Sequence, residues 1–157
     1  MQQKIAVFSD SHGNWQDMVR ILQAAPEIRR VIFLGDVLDD IETVQAYLPS
    51  LAFDVVKGNC DGYAQESVEK CVQVGQHRLL LTHGHTYRVK SGLQLLVARG
   101  RAVEANAIFF GHTHCATEQY EQGMLVVNPG SMNSHQYAEV TVDGADMRVC
   151  LKRMEKE

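Results

Sequence analysis

Two pairs of histidines stand one residue apart in this chain, His83-Gly84-His85 and His112-Thr113-His114. The second pair follows the apolar run Ile108-Phe109-Phe110 and a glycine, Gly111. Neutral imidazole is a strong metal ligand and a proton carrier near neutral pH. A His-x-His step on irregular backbone can aim both rings into one cavity. Three further apolar runs stop at residues of related chemistry: Asp10 and His12, then Asp36, then Asn59. Aspartate, asparagine and histidine offer oxygen and nitrogen donors but no thiolate. Such a mixed set suits Mn²⁺, Fe²⁺, Zn²⁺ or Ni²⁺ rather than a structural cysteine-type zinc. A single histidine or aspartate of this kind is as often a loop cap or a core residue. The force of the pattern lies in five strand ends carrying it together.

The elements that position these residues follow from hydrophobic periodicity. Lys4 to Ser9 predicts a short buried strand ending at Asp10-Ser11-His12-Gly13-Asn14. Trp15, Met18, Val19 and Leu22 fall on one helical face, with Asn14 as the expected N-cap and Asp17 as the acidic residue three positions on. Val31 to Leu34 predicts a second strand, ending at Gly35-Asp36. Asp39 or Asp40 is the expected cap of a helix carrying Ile41, Val44 and Leu48, which Pro49 stops. Phe53 to Lys57 predicts a third strand, ending at Gly58-Asn59-Cys60-Asp61-Gly62. This β-α-β-α-β order implies parallel strands with right-handed crossovers. Val68, Val72 and Val74 pair with Arg78 to Leu81 across Gly75-Gln76. Ser91 is the expected cap of a helix bearing Leu93, Leu96 and Val97, weakened by Gly100. Two hairpins close the chain, across Glu121-Gln122-Gly123 and Asp143-Gly144, and the Lys/Glu-rich end is expected to fray. In open α/β sheets ligands gather at the carboxyl ends of the strands, so these five loops should converge.

Length and composition narrow the class. A chain of 157 residues with 45% apolar and 22% charged residues fits one globular domain, residues 1–157. A net charge of −4 argues against a dedicated nucleic-acid binder. The four cysteines are widely spaced, as in a reduced intracellular protein. A strand within the first residues leaves no room for a signal peptide, and no apolar run reaches a membrane span. A cytoplasmic location is the expectation.

The motifs Asp10-x-His12, Gly35-Asp36, Gly58-Asn59-Cys60-Asp61, Thr82-His83-Gly84-His85 and Gly111-His112-Thr113-His114 resemble those of the calcineurin-like metallophosphoesterases. Within that superfamily they are most similar to the small bacterial and archaeal phosphodiesterase branch (the YfcE type). Asn128-Pro129-Gly130-Ser131 looks like that branch's closing loop. The resemblance covers Ile5 to about Ser131. It implies an α/β (α+β) fold, a two-sheet β-sandwich flanked by helices with the site where the strand ends meet. Periodicity alone is equally consistent with one mixed sheet.

Carried over by motif, the resemblance implies two divalent ions, Mn²⁺ first and Ni²⁺, Fe²⁺ or Zn²⁺ next. Asp10, His12, Asp36 and His114 would hold one. Asp36, Asn59, His83 and His112 would hold the other, with Asp36 as the bridge. A carboxylate can span two cations about 3.5–4 Å apart. Such a pair acidifies a bridging water, and the hydroxide attacks phosphorus in line while the ions stabilise the non-bridging oxygens. Asp36, Asn59 and His85 are the expected catalytic residues. His85 would orient phosphate, donate a proton or support a ligand. Some branches carry a histidine where this chain has Cys60, and a thiol is a poor general acid. Substrates with good leaving groups should therefore react best. Asp61 is expected to orient a histidine. Arg88 and Lys90 are expected in a solvated loop, and Trp15 in the core. His77 and His135 are assigned structural or surface roles.

The expected activity is phosphodiester hydrolysis on a small phosphoester substrate, without dedicated nucleic-acid or membrane binding and with a homodimer left open. Phosphomonoester hydrolysis is the near alternative. A non-catalytic interaction scaffold is the rival from another class, because the retromer scaffold subunit shares the fold. All seven ligand positions here carry metal-capable residues, which ranks the scaffold second.

Overall fold

A computed structural model describes residues 2–154. The elements are β1 (Gln2–Phe8), α1 (Trp15–Ala24), β2 (Ile28–Phe33), α2 (Leu38–Tyr47), β3 (Ala52–Val55), β4 (Glu69–Val74), β5 (His77–Thr82), α3 (Gln94–Ala102), β6 (Ala107–Phe110), β7 (Thr117–Glu121), β8 (Met124–Asn128), β9 (Gln136–Asp143) and β10 (Asp146–Arg153). They form two five-stranded sheets, ordered β10-β9-β1-β2-β3 and β4-β5-β6-β8-β7. Strands β1, β2 and β3 are parallel, as are β5, β6 and β8. Antiparallel strands complete each sheet.

The sheets pack face to face. Ile5 and Val7 of β1 and Ile32 of β2 meet Leu79 and Leu81 of β5 and Phe109 of β6 in one buried cluster. Alternate residues point the other way. Ala6, Phe8, Val31 and Phe33 lie with Met18 and Leu22 of α1 and Ile41 and Val44 of α2. On the second sheet Leu80, Ile108 and Phe110 lie with Leu96 and Val97 of α3. The result is a helix-covered sandwich, as the motif resemblance implied. Where these strands are buried on both faces they carry unbroken apolar runs, at residues 5–8, 31–33, 79–81 and 107–110, which is why period-2 alternation is absent there.

Gly100 sits inside α3, and a Cβ there would come within 2.6 Å of Ile108 Cδ1 and Met124 Sδ. It weakens helix propensity but lets α3 approach its sheet. Trp15 is half-buried, packing on the α1/α2 cluster and stacking on Tyr47 with ring centroids 5.3 Å apart.

Asn14 takes its expected N-cap position, but none of the expected side-chain cap bonds forms. Asn14 occupies the N-cap position of α1 without a side-chain cap bond. Its amide instead reaches Asn133 Oδ1 at 3.1 Å, and Asp17 accepts from His135 Nδ1 at 3.0 Å. Val37 and Leu93, not Asp39/Asp40 or Ser91, occupy the N-cap positions of α2 and α3. Strand β10 continues to Arg153, so Lys152 and Arg153 belong to the sheet. The expected fraying of the Lys/Glu-rich end otherwise concerns positions 155–157, which lie outside the described residues.

Phe109 is fully buried between the sheets. Phe109→Ala should cost about 3–5 kcal/mol, read as a lowered urea midpoint. Leu95→Ala, at an exposed position of α3, should change stability by less than about 0.5 kcal/mol.

Candidate metal centre

The parallel strands of both sheets end at a common edge, and the backbone there turns abruptly. Asp10, His12, Asp36, His112 and His114 all have positive φ, from 43° to 70°. Such conformations cost non-glycine residues of order 1–3 kcal/mol each, and they cluster at functional sites. Here they lift the side chains off the strand axis toward the neighbouring strand ends. The loops are stitched together. Asp10 N–H donates to Gly35 O, Ser11 N–H to Asp36 O, and Gly111 N–H to His83 O. Gly35 has a φ of 100°, and a Cβ there would lie 2.5 Å from the Gly58 nitrogen. Only glycine lets the Asp36 loop and the Gly58 loop close this tightly.

Asp10 is fully buried and Asp36 nearly so. Asp10 Oδ1 lies 3.1 Å from His114 Nε2 and 3.7 Å from His83 Nε2. Its other oxygen accepts from Ser9 Oγ and from His112 N–H. Asp36 Oδ2 lies 3.4 Å from His83 Nε2, and its Oδ1 accepts from Cys60 N–H at 2.9 Å. His83 is fully buried. Its Nδ1 donates to Leu34 O at 2.7 Å, tying the second sheet to the first. A carbonyl can only accept, so the proton sits on Nδ1 and the lone pair of neutral His83 is on Nε2, facing both carboxylates. That Nε2 and the Nδ1 of His85 are buried without hydrogen-bond partners. The His112 and His85 rings lie 5.1 and 5.4 Å from the His83 ring, and His12 lies 5.7 Å from His114.

Two groups could each hold an ion: Asp10, His12 and His114, and Asp10, Asp36 and His83, with donor atoms in each group within 4.8 Å of one another. Asp10 is the carboxylate common to both. Asp36, the expected bridge, stands in the second group, its Oδ2 toward His83 and its Oδ1 accepting from Cys60 N–H.

The electrostatics favour cation capture. Burial pushes the Asp36 pKa up, but the adjacent His83 imidazole and the hydrogen bond from Cys60 N–H outweigh it and hold the carboxyl well below its ordinary range. Burial pushes His83 down, but Asp36 and Asp10 raise it above a free histidine. Burial and the neighbouring His83 lower both His85 and His112. Burial and Asp36 push the Cys60 thiol up, which makes it a still weaker acid.

Asn59 is exposed, with its amide facing Cys60 Sγ at 3.8 Å. His85 is half-buried among the imidazoles, and Arg88 and Lys90 are exposed in the following loop. His77 begins β5, at the opposite end of the strand from His83. Asp61 does not orient a histidine. Its carboxylate accepts from the backbone N–H groups of Asp36, Leu38 and Gly58 at 2.8, 2.9 and 2.8 Å. It thereby caps α2 from a distant loop and fixes the Asp36 turn. Asp40, expected as a cap, accepts from Ser11 Oγ at 2.6 Å and Gly13 N–H at 2.7 Å, flanking His12 on both sides. Asn128 donates to Gly111 O and Thr113 Oγ1, bracing the His112–His114 loop. Ser131 Oγ donates to Asp10 O. Nothing in the local sequence of Asp40 signals its partners, which lie 27 and 29 residues away.

Asp61→Ala should weaken Mn²⁺ affinity about 10–100-fold, the range for removing a residue that orients ligands, in an equilibrium metal titration. The carboxylates also make His83 harder to deprotonate. Metal must displace its proton, so Mn²⁺ affinity should rise as pH increases through the His83 pKa, by up to about tenfold per pH unit for each proton released.

A model of the calcineurin-like phosphoesterase superfamily domain matches residues 3–146. The chain is 34% identical over 129 residues to the probable metallophosphoesterase YsnB of Bacillus subtilis, covering 82% of this chain and 74% of that one. A conserved Streptococcus pneumoniae protein described as a predicted phosphoesterase superposes with a TM-score of 0.83 at 26% identity, covering 98% of this chain and 90% of that one. Vps29 from Entamoeba histolytica, crystallised with Zn²⁺, shares the fold at a TM-score of 0.78 and 17% identity, covering 97% and 98%. With the family model spanning nearly all of the sandwich and both histidine loops, the chain belongs to the calcineurin-like phosphoesterase superfamily.

Proposed function

We propose that the chain is a two-metal-dependent phosphodiesterase acting on small phosphoesters, with Mn²⁺ as the preferred ion. The observation that carries this reading is a charge imbalance. Asp10 and Asp36 are buried around one imidazole, and among the described residues neither pairs with a lysine or arginine. Buried carboxylates persist when paired or metal-bound. The donor set of oxygen and imidazole nitrogen fits Mn²⁺, Fe²⁺, Zn²⁺ or Ni²⁺.

By the motif resemblance Asp10, His12, Asp36 and His114 would hold one ion, and Asp36, Asn59, His83 and His112 the other, with Asp10 close enough to His83 to reach both. When bound, the ions supply Lewis acidity toward a phosphoryl oxygen and an acidified water. The chain's own residues then hold the substrate. His85 faces the same imidazole cluster and would donate one ring N–H hydrogen bond to a phosphoryl oxygen. Cys60 adjoins Asp36, and its raised thiol leaves departing-group protonation weak. Activated aryl diesters are therefore the best substrates. The preference for diesters over monoesters rests on the motif resemblance.

The purified protein should hydrolyse bis(p-nitrophenyl) phosphate in Mn²⁺, faster than p-nitrophenyl phosphate, and lose the activity to a chelator. Failure of every activated ester under Mn²⁺, Ni²⁺, Fe²⁺ and Zn²⁺ would favour the non-catalytic scaffold. Asp36→Asn should lower both bound metal and rate by at least about tenfold. Cys60→Ala should keep full activity on the aryl diester.

A further inference from the structure

We infer that the groove between the first turns of α2 and the Cys60–Ala64 loop receives an uncharged aromatic arm of the phosphodiester, with Tyr63 as its stacking platform. The inference rests on the phosphodiesterase reading and adds a substrate class to it. The groove has a volume of about 380 Å³ and is bordered by Val37, Leu38, Asp39, Glu42, Cys60 and Tyr63. That size matches a small-molecule subsite. Cys60 places it at the metal centre, because the same residue lines the groove and donates its N–H to Asp36 Oδ1 at 2.9 Å. An ester whose phosphorus sits beside Asp36 has this groove within reach of one arm.

Tyr63 is fully exposed. It nevertheless stands on a held loop. Ala64 N–H closes a turn onto Asp61 O, Lys57 Nζ donates to Ala64 O, and Asp61 is itself anchored by three backbone N–H groups. A rigid turn therefore presents a bare ring to solvent at the mouth of the groove. A ring in that position gains area and stacking energy only when a second flat group covers it. The opposite wall selects charge. Asp39, Glu42 and Asp61 border the groove, and among the described residues no lysine or arginine does. A negatively charged arm is repelled, whereas a neutral aryl or nucleoside-like arm is accepted.

The test uses the full chain in Mn²⁺ and symmetric diesters, so that either arm reports on the groove. Tyr63→Ala should raise KM for bis(p-nitrophenyl) phosphate about tenfold with little change in kcat, the effect of one lost ring-on-ring stack. It should weaken equilibrium binding of diphenyl phosphate by a similar factor, and Tyr63→Phe should match wild type in both. The wild type should prefer bis(p-nitrophenyl) phosphate to its bis(3-carboxy-4-nitrophenyl) analogue, and Asp39→Asn/Glu42→Gln should narrow that preference. Unchanged KM and binding in Tyr63→Ala, with hydrolysis intact, would overturn the groove assignment and leave the phosphodiesterase reading standing. Absence of Mn²⁺-dependent hydrolysis in the wild type would remove both.

Discussion

Two carboxylates buried around a single imidazole set the terms for the rest of this molecule. Like charges in a low-dielectric interior repel, and each loses its hydration. The protein offsets part of that cost with directed donors: Ser9 Oγ and His112 N–H for Asp10, and Cys60 N–H for Asp36. His83 supplies the one positive charge available between them when it is protonated. Divalent cations would complete the balance, and the family to which the chain belongs is built around such ions.

The geometry needs a frame as well as a charge balance. Five site residues hold positive φ, and none of them is glycine. The strain is opposed by loops that hold one another. Asp61 gathers the Asp36 turn, the start of α2 and Gly58. Asp40 holds Ser11 and Gly13, on either side of His12. Asn128 and Ser131, from the far end of the chain, brace the His112 loop and Asp10. The sandwich makes this possible because its parallel strands, three in each sheet, deliver their carboxyl ends to one edge. His83 Nδ1 on Leu34 O then joins the two sheets at that edge.

Much of this was legible in the sequence, and the illegible parts share a cause. Strand ends marked by Gly-Asp, His-Gly-His and His-Thr-His could be read because each apolar run stops abruptly at polar residues. The choice between a sandwich and one mixed sheet could not. Ile5 and Val7 face the second sheet while Ala6 and Phe8 face α1, and all four are apolar. Helix-cap bonds escaped the sequence for a related reason, although Asn14 does take the N-cap position of α1. Asn14, Asp17 and Asp40 are all capable of capping, but each found a partner in another segment. The role of Asp61 was misassigned because its partners are backbone N–H groups, which carry no residue-type signal.

If Asp10 and Asp36 sit where two divalent ions bind, the ions should be visible there. Anomalous diffraction from crystals of the full chain grown in Mn²⁺ tests it most directly. Two manganese peaks are expected at the strand-end edge, one beside His12 and His114 and one beside His83 and His112, with carboxylate oxygen between them. A single peak, or none at this edge with manganese bound elsewhere, would contradict it.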